Sequence, residues 1–308
     1  MQGSVNGLKY HLLALPVVAV WGVTFVSTKV LIMAGMEPVA IFFVRFILAY
    51  LGLWIYLFLF GKEKRLWCGW KDELVFLFLG ITGGSFYFLT ENTALEYTQA
   101  CNVSFLVCSA PLFTAFFTLI FRYFGRGRFA RGLENVKVGL PLAGGTVLAL
   151  TGMALVIFDG VRLKISPRGD LLALAAAICW ALYSLFMGQL TREYGPLTAT
   201  RKVFFYGLVT ILPFLGGCAG SFSPALLCRP EVWGNLLFLG VLASLVCFVV
   251  WNVVMERIGN VTSTNYVYLN PIFTLLASMA LLGEKMTPVA AAGSAAILAG
   301  VILAGKGK

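Results

Sequence analysis

Long apolar stretches, separated by short segments that carry polar residues, glycine and proline, run along the whole chain. A stretch of about 20 apolar residues matches the hydrocarbon core of a bilayer, which is roughly 30 Å thick. Backbone groups there must bond within their own segment, so each stretch predicts a helix; membrane strands would be about half as long and would alternate in polarity. The ten predicted spans are residues 12–33, 39–60, 74–95, 100–121, 138–158, 170–190, 198–217, 233–255, 262–282 and 286–305. The pattern predicts an all-α membrane protein.

The second half of the chain repeats the first. Residues 92–114 align with residues 252–274 at a shift of 160, which places Pro111 on Pro271. The segment from Leu12 aligns with that from Leu171 at a shift of 159, which places Trp21 on Trp180. Five spans per repeat is an odd number, so the second half enters the membrane from the opposite side. We predict two inverted five-helix repeats, residues 1–158 and 169–308, joined by a connecting loop, 159–168.

Composition and charge place the chain in a membrane with a defined orientation. Hydrophobic residues make up 60% and charged residues 12% of the chain, and the mean hydropathy is +0.90. With the N-terminus inside, predicted inside segments hold 14 lysines and arginines and outside segments hold 5. This bias predicts a multi-pass protein of the cytoplasmic membrane with both termini in the cytoplasm. The net charge of +10, including the basic segment 122–137, is therefore topological, and no nucleic-acid partner is expected.

Several short motifs recur in a fixed order along both halves. In the first half they are Trp21-Gly22, Pro38 with Arg45 seven residues on, and the run NTALEYT that leads to Pro111. In the second half they are Trp180, Arg201 after Pro196, and Pro271 followed by Leu282-Gly283-Glu284. Over nearly the whole chain, this order resembles the drug/metabolite transporter superfamily and, within it, the EamA-like ten-helix transporters. Two departures are Phe124, which stands where the second half has Glu284, and an arginine that follows proline by seven residues in one half and five in the other.

The resemblance implies a secondary transporter, most simply an exporter of a small metabolite or amino acid. It would work by alternating access, with one half rocking against the other. An uptake permease and a passive facilitator are the alternatives within transport. A membrane enzyme or lipid-handling protein would need polar catalytic residues clustered at one interface, and the sequence shows no such cluster. Neither a phosphate-binding loop for ATP nor a CxxC pair for a metal is present, so we expect no enzyme activity, cofactor or metal.

Aromatic and polar residues within the spans are candidates for the substrate cavity that the resemblance implies. These are Trp21, Thr24, Tyr87, Glu91, Asn92, Trp180, Tyr183, Trp251, Asn252, Tyr266 and Asn270. Contact of the aromatic members with lipid is the alternative. The matched pair Trp21 and Trp180 is the best-supported part of the prediction.

Charged residues within spans are costly and need a partner or a function. The predicted intramembrane charges are Lys29, Arg45, Glu91, Arg201 and Lys202. Glu91 has Trp251 as its repeat counterpart, so the duplication did not impose it. It is either a carboxylate that couples transport to protons or binds a cationic substrate group, or the structural ion-pair partner of Lys29 or Arg45. Each of the two arginines either has a structural role, reaching toward an interface or capping neighbouring carbonyls, or binds a substrate carboxylate.

Two further patterns concern helix shape and packing. Pro111 and Pro271 lie within predicted spans, where each removes a helix hydrogen bond, so they are either gating hinges or static kinks. Small residues recur every four positions at Ala173, Ala177 and Ala181, and at Ala292, Ala296, Gly300 and Ala304. Such stripes let helices approach closely in lipid. Internal packing is the first interpretation, and a homodimer contact is the alternative.

Overall fold

The computed structural model describes residues 2–60, 66–98, 100–124, 139–158, 166–282 and 288–305, and within these ranges it contains helices and no strand. The α-helices are α1 (Gln2–Met33), α2 (Pro38–Phe60), α3 (Trp70–Gly80), α4 (Phe86–Tyr97), α5 (Ala100–Val107), α6 (Ala110–Phe124), α7 (Leu140–Phe158), α8 (Pro167–Tyr194), α9 (Pro196–Ile211), α10 (Pro224–Leu227), α11 (Pro230–Leu237), α12 (Cys247–Ile258), α13 (Asn260–Thr264), α14 (Asn270–Leu282) and α15 (Pro288–Gly305). Two π-helical segments, π1 (Ile81–Ser85) and π2 (Phe238–Val246), and three 3-10 segments, Leu212–Gly217, Ala219–Phe222 and Asn265–Leu269, complete them.

Six helices of the described chain are long and apolar enough to cross a membrane. They are Leu8–Met33, Pro38–Phe60, Trp70–Tyr97, Val103–Phe124, Pro167–Tyr194 and Pro230–Ile258. The other four predicted spans, 138–158, 198–217, 262–282 and 286–305, fall on helices that are shorter or interrupted. An all-helical membrane protein is therefore confirmed, and the number of ten spans remains a prediction. The predicted cytoplasmic loop 122–137 and the connecting loop 159–168 lie mostly outside the described residues.

The outward-facing surface is apolar, as a lipid environment requires. Ile55, Phe116 and Ile302 are 61%, 57% and 62% exposed. A soluble protein rarely exposes so much apolar surface without a partner. Trp67 and Trp70, whose rings lie 5.0 Å apart, stand exposed beside the start of α3. Tryptophan favours the interface between lipid and water, so this end of α3 is expected at the membrane surface.

A π-helical segment interrupts the third predicted span of each half. Segments π1 and π2 occupy matching positions at the shift of 160 found in the sequence. Gly84 within π1 departs from helical backbone angles. A Cβ at Gly83 would lie 2.1 Å from the ring of Tyr183, so the absence of a side chain lets π1 press against α8. Wide turns of this kind are frequent at functional sites.

The two prolines lie at equivalent helix starts. Pro111 is the second residue of α6, which follows a turn at Cys108 and Ser109. Pro271 is the second residue of α14, which follows the 3-10 segment Asn265–Leu269. Proline is well tolerated in the first turn of a helix because its missing N–H has no partner there. The helix is therefore interrupted just before each proline and does not bend at the proline itself. A hinge role for the two prolines stays a prediction.

Small residues bring α7 and α15 into close contact. A Cβ at Gly152 would lie 2.5 Å from the carbonyl oxygen of Gly293, and one at Gly300 would lie 2.5 Å from that of Gly145. The face of α15 that meets α7 therefore runs through Gly293 and Gly300. The predicted stripe is turned slightly from this face, since Ala292 is exposed and Ala296 is half-buried. On α8, Ala173, Ala177 and Ala181 are fully buried.

The helices pack as two bundles that each draw on both halves of the chain. In the first bundle, α8 packs on α4, α5 and α6, and α9 packs on α3. In the second bundle, α1 packs on α12, α14 and the 3-10 segment Asn265–Leu269, and α2 packs on π2. This interleaving differs from the expected arrangement of one half against the other. Helices α7 and α15 pack mainly on each other, outside both bundles.

Candidate functional site

A small cavity lies between the two bundles, where Val107 ends α5 and Asn270 begins α14. The first bundle contributes Tyr87, Phe88, Glu91, Val107 and Trp180 to its wall. The second bundle contributes Trp21, Thr24, Phe25, Arg45, Phe248, Val267 and Asn270. The cavity has a volume of about 30 Å³. A single water molecule needs roughly 10–15 Å³ of such space, so the cavity is large enough for a water or two and too small for a metabolite. In this structure the cavity is therefore too narrow to hold a metabolite.

Aromatic rings from both bundles form most of the wall. Trp21 of α1 meets Trp180 of α8 edge to face, with ring centroids 5.2 Å apart. Tyr87 and Phe248 lie 5.4 Å and 6.0 Å from the Trp180 ring. The indole Nε1 of Trp21 donates to the carbonyl oxygen of Ala243 at 3.0 Å. The Trp180 Nε1 is buried without a hydrogen-bond partner in the described part of the chain. Edge-to-face contacts fix the rings in place and leave aromatic surface facing the cavity.

Arg45 brings a positive charge to the cavity from α2. Its side chain is 1% exposed, and its Nε donates to the hydroxyl of Ser244 in π2 at 3.0 Å. The guanidinium carbon lies 4.2 Å from the centre of the Phe88 ring. Its Nη1 has no hydrogen-bond partner among the described residues. One end of the guanidinium is therefore held by Ser244 and Phe88, while Nη1 keeps an unused donor.

Glu91 brings a negative charge to the same cavity from α4, in the other bundle. It is 2% exposed and interacts electrostatically with Arg45 and with the Tyr87 hydroxyl. No direct salt bridge joins it to Arg45 in the part of the chain that the structure describes. The two opposite charges therefore face one cavity from its two sides.

The other three intramembrane charges lie away from the cavity. Lys29 donates to the carbonyl oxygen of Leu95 and, at 3.3 Å, to that of Thr98. It therefore caps the C-terminal end of α4 and is not the partner of Glu91. Lys202 forms a buried salt bridge of 2.5 Å with Glu73 of α3.

Arg201 stacks over the Trp54 ring at 4.9 Å. The spacing from proline explains why Arg201 and Arg45 face differently. Arg45 lies seven residues after Pro38 in α2, whereas Arg201 lies five residues after Pro196 in α9. Two residues turn an α-helix by about 200°. The two arginines therefore project from nearly opposite faces of their helices.

Five of the predicted cavity residues serve other contacts in this structure. Asn92 donates to the carbonyl oxygen of Pro38 at 3.2 Å. The Tyr183 hydroxyl donates to Asn252, which in turn donates to Thr200 at 2.7 Å. Trp251 lies fully buried with its ring 4.9 Å from that of Trp21. The hydroxyl of Tyr266 is 2.6 Å from Nδ1 of His11. Most of these polar residues tie helices of the two bundles together.

The structure adds cavity residues that sequence reasoning missed. They are Phe25, Phe88, Val107, Phe248 and Val267. A signal for four of them was present, since Phe88 matches Phe248 and Val107 matches Val267 at the shift of 160. Apolar matches of this kind are hard to select from sequence, because most positions in a span are apolar. Among the described residues, no cluster of histidine, cysteine, aspartate and glutamate could hold a metal ion.

The model of the EamA-like transporter family matches residues 8–123 and 167–305. The chain belongs to this family. An uncharacterized transporter of Archaeoglobus fulgidus is 27% identical over 300 residues, which is 96% of each chain. The uncharacterized inner membrane transporter YedA of Escherichia coli is 28% identical over 296 residues, 94% of this chain and 88% of the relative. A probable terminal-alkyne amino-acid exporter of Streptantibioticus cattleyicolor is 27% identical over 233 residues, 76% of this chain and 73% of the relative.

A solved crystal structure has the same fold as this EamA-like transporter. It aligns with a TM-score of 0.69 over 97% of this chain and 96% of its own, at 19% identity. Family membership confirms the resemblance seen in the sequence. The protein is a multi-pass membrane transporter for a small molecule and not an enzyme.

Proposed function

We propose that this EamA-like transporter exports a small metabolite or amino acid by alternating access. The observation that carries the proposal is the narrow, charged cavity between two bundles. Because this cavity is too narrow for a metabolite, the two bundles must move apart for a solute to enter it. Arg45 and Glu91 contribute opposite charges from the two bundles, so a solute bound between them contacts both moving bodies. The cavity suits binding of a polar solute within an otherwise apolar wall.

The proposal includes ten spans arranged as inverted five-helix repeats. Matching features of the two halves support it. Segments π1 and π2, the helix starts at Pro111 and Pro271, and the wall pair Trp21 and Trp180 all recur at a shift of 159 or 160. Inverted repeats give two nearly equivalent arrangements of the same contacts, and these become the inward- and outward-open states.

Export is the direction favoured by one relative, the protein named a probable amino-acid exporter. The positive-inside bias predicts both termini in the cytoplasm, so an exporter would load its substrate at the face where they lie. Uptake and passive facilitation remain the alternatives, because alternating access runs in either direction down a gradient. Coupling to protons through Glu91 is a further part of the proposal that flux measurements decide.

Flux measurements test the proposal directly. The full chain is reconstituted in liposomes, and exchange of labelled amino acids and metabolites is measured with and without a pH gradient. Inside-out vesicles from cells that produce the protein then report direction, with vesicles lacking it as control. We expect saturable accumulation into inside-out vesicles that a pH gradient stimulates. Accumulation in right-side-out vesicles alone would show uptake, and failure of the whole panel would overturn the transport proposal for these solutes.

A further inference from the structure

We infer that the cavity selects a zwitterion of the α-amino-acid type with an uncharged side chain, whose carboxylate binds Arg45 and whose ammonium binds Glu91. This inference rests on the proposed function, because it concerns the same cavity. It goes further by assigning each charged end of the substrate to one bundle.

Arg45 has the geometry of a prepared carboxylate site. Ser244 accepts from Nε, and the Phe88 ring supports the face of the guanidinium. These contacts fix the plane of the group while Nη1 lacks a hydrogen-bond partner in the described part of the chain. A buried donor is normally satisfied, so an unused one on a fully buried arginine indicates a site for an acceptor. The planar guanidinium binds a carboxylate through two parallel hydrogen bonds.

Glu91 has the surroundings of an ammonium site. Its carboxylate faces the cavity beside the Tyr87 ring, and Trp21 and Trp180 stand in the same wall. Aromatic faces attract cations, most strongly where water is excluded. A carboxylate among such rings therefore recognises an ammonium by charge and by its surroundings. Because no salt bridge connects Glu91 directly to Arg45 within the described residues, each charge remains available to a ligand.

The balance of charge decides against singly charged solutes. The wall contains one positive and one negative group, Arg45 and Glu91, and its other members are uncharged. A zwitterion pairs both groups and adds no net charge. A simple amine would pair with Glu91 and leave Arg45 without a counter-charge, and a simple carboxylate would do the reverse. Uncompensated charge inside the membrane is strongly unfavourable, so the cavity rejects both.

The remaining wall determines the class of side chain. Phe25, Val107, Phe248 and Val267 are apolar, and Thr24 and Asn270 add polar atoms without charge. A third charge on the substrate would have no partner in this wall. The substrate side chain is therefore uncharged, and a mostly apolar one fits best.

A panel of matched ligands tests the inference on the wild-type protein. Alanine, leucine and phenylalanine are each compared with the corresponding amine, which lacks the carboxylate, and with the N-acetyl derivative, which lacks the ammonium. Competition against flux in liposomes gives the apparent affinity of each. For at least one of the three side chains, the amino acid should compete at least tenfold better than both derivatives. If an amine or an N-acetyl derivative competes as well as its amino acid, the inference is wrong while transport stands. If no panel member or metabolite is transported, both proposals fail.

Matched variants assign the two charges. Glu91→Gln should weaken binding of the amino acid about tenfold. It should also strengthen binding of the N-acetyl derivative relative to that of the amino acid, since Arg45 then lacks a negative partner. Glu96→Gln, the same change on an exposed residue at the end of α4, should leave both affinities within twofold. Arg45→Lys should weaken binding of both the amino acid and the N-acetyl derivative, while Arg201→Lys should leave the binding of both unchanged.

The shift in preference separates recognition from a structural role. A change that only loosened the fold would weaken all ligands alike, so unchanged ratios in Glu91→Gln would overturn the assignment of the ammonium to Glu91. Melting temperature and gel filtration monitor folding of each variant. If Glu91→Gln does not fold, Glu91→Asp keeps the charge and retracts it by one methylene. It should then lower affinity for the amino acid and the amine without affecting the N-acetyl derivative, and an equal loss for all three would contradict the inference.

Discussion

The close contact of α7 with α15 makes a single methyl group decisive at Gly152. A Cβ added there would stand 2.5 Å from the carbonyl oxygen of Gly293 and 2.7 Å from the amide nitrogen of Ile297. Both neighbours are backbone atoms, so no side-chain rotation relieves the overlap. Gly144, earlier on the same helix, offers a matched control. A Cβ there would meet the Leu303 side chain at 3.7 Å, which is an ordinary van der Waals contact.

The loss of unfolding free energy in Gly152→Ala follows from the distance by which the added methyl group must separate the two helices. Unstrained Cβ contacts begin at 3.4 Å, so α7 and α15 must separate by about 0.9 Å, the difference between 3.4 and 2.5 Å. Overpacking of this kind costs about 1–3 kcal/mol. Replacing glycine by alanine within a helix offsets roughly 0.5–1 kcal/mol of it. We therefore expect Gly152→Ala to lose up to about 2.5 kcal/mol of unfolding free energy, and Gly144→Ala to gain up to about 1 kcal/mol.

Unfolding in detergent micelles provides the assay. Both variants and the wild type are purified in the same detergent, and tryptophan fluorescence follows unfolding by heat and by added denaturing detergent. The order of stability should be Gly144→Ala, wild type, then Gly152→Ala. A Gly152→Ala protein as stable as Gly144→Ala would refute the reasoning, because the same chemical change would then be insensitive to the distance between the helices.

Four other changes probe the fold and the cavity. Ala296→Leu should lower the melting temperature, at a cost of about 1–3 kcal/mol, because its Cβ faces Gly152; unchanged stability with a changed oligomeric state would place this residue in a dimer contact. Lys29→Met should lose about 1 kcal/mol in thermal unfolding, since the end of α4 loses its charged donor, and Lys29→Arg should retain it. Ser244→Ala should raise KM more than it lowers kcat, because the Ser244 hydroxyl positions Arg45. Ser244→Thr keeps a hydroxyl and should have a KM close to that of the wild type. Equal effects of Ser244→Ala on both constants would contradict the positioning role. A cysteine introduced at position 130, outside the described residues, should resist an impermeant reagent added to intact cells, and strong labelling would reverse the predicted topology.

The sequence allowed prediction of features that depend on local chemistry. Apolar length predicts helices in lipid because the backbone has no other way to satisfy its polar groups. The doubled motifs placed Trp21 and Trp180 together, and the structure holds their rings 5.2 Å apart. Charge within a span identified Arg45 and Glu91 as unusual residues, and both lie in the cavity wall.

Features that depend on distant partners were beyond sequence reasoning. Asn92 and Lys29 were candidates for a site because each is polar within a span. Their partners, the Pro38 and Leu95 carbonyls, lie 54 and 66 residues away in the chain. A buried polar group is satisfied either by a ligand or by such a neighbour, and local pattern does not distinguish the two. The division into mixed bundles was missed for the same reason, since it depends on which helices meet.

The cavity combines a repeated apolar frame with charges that are not repeated. Three pairs of wall residues recur across the halves: Trp21 with Trp180, Phe88 with Phe248, and Val107 with Val267. A frame of matched residues suits alternating access, because the site then has similar walls when it opens to either side. Glu91 and Arg45 break the match, since Trp251 stands in place of the first and the second half's arginine projects from another face of its helix. Both charges come from the first half of the sequence, yet the fold assigns them to opposite bundles. The duplicated residues thus fit the alternating access that we propose, whereas the unmatched charges are the residues to which we assign substrate recognition.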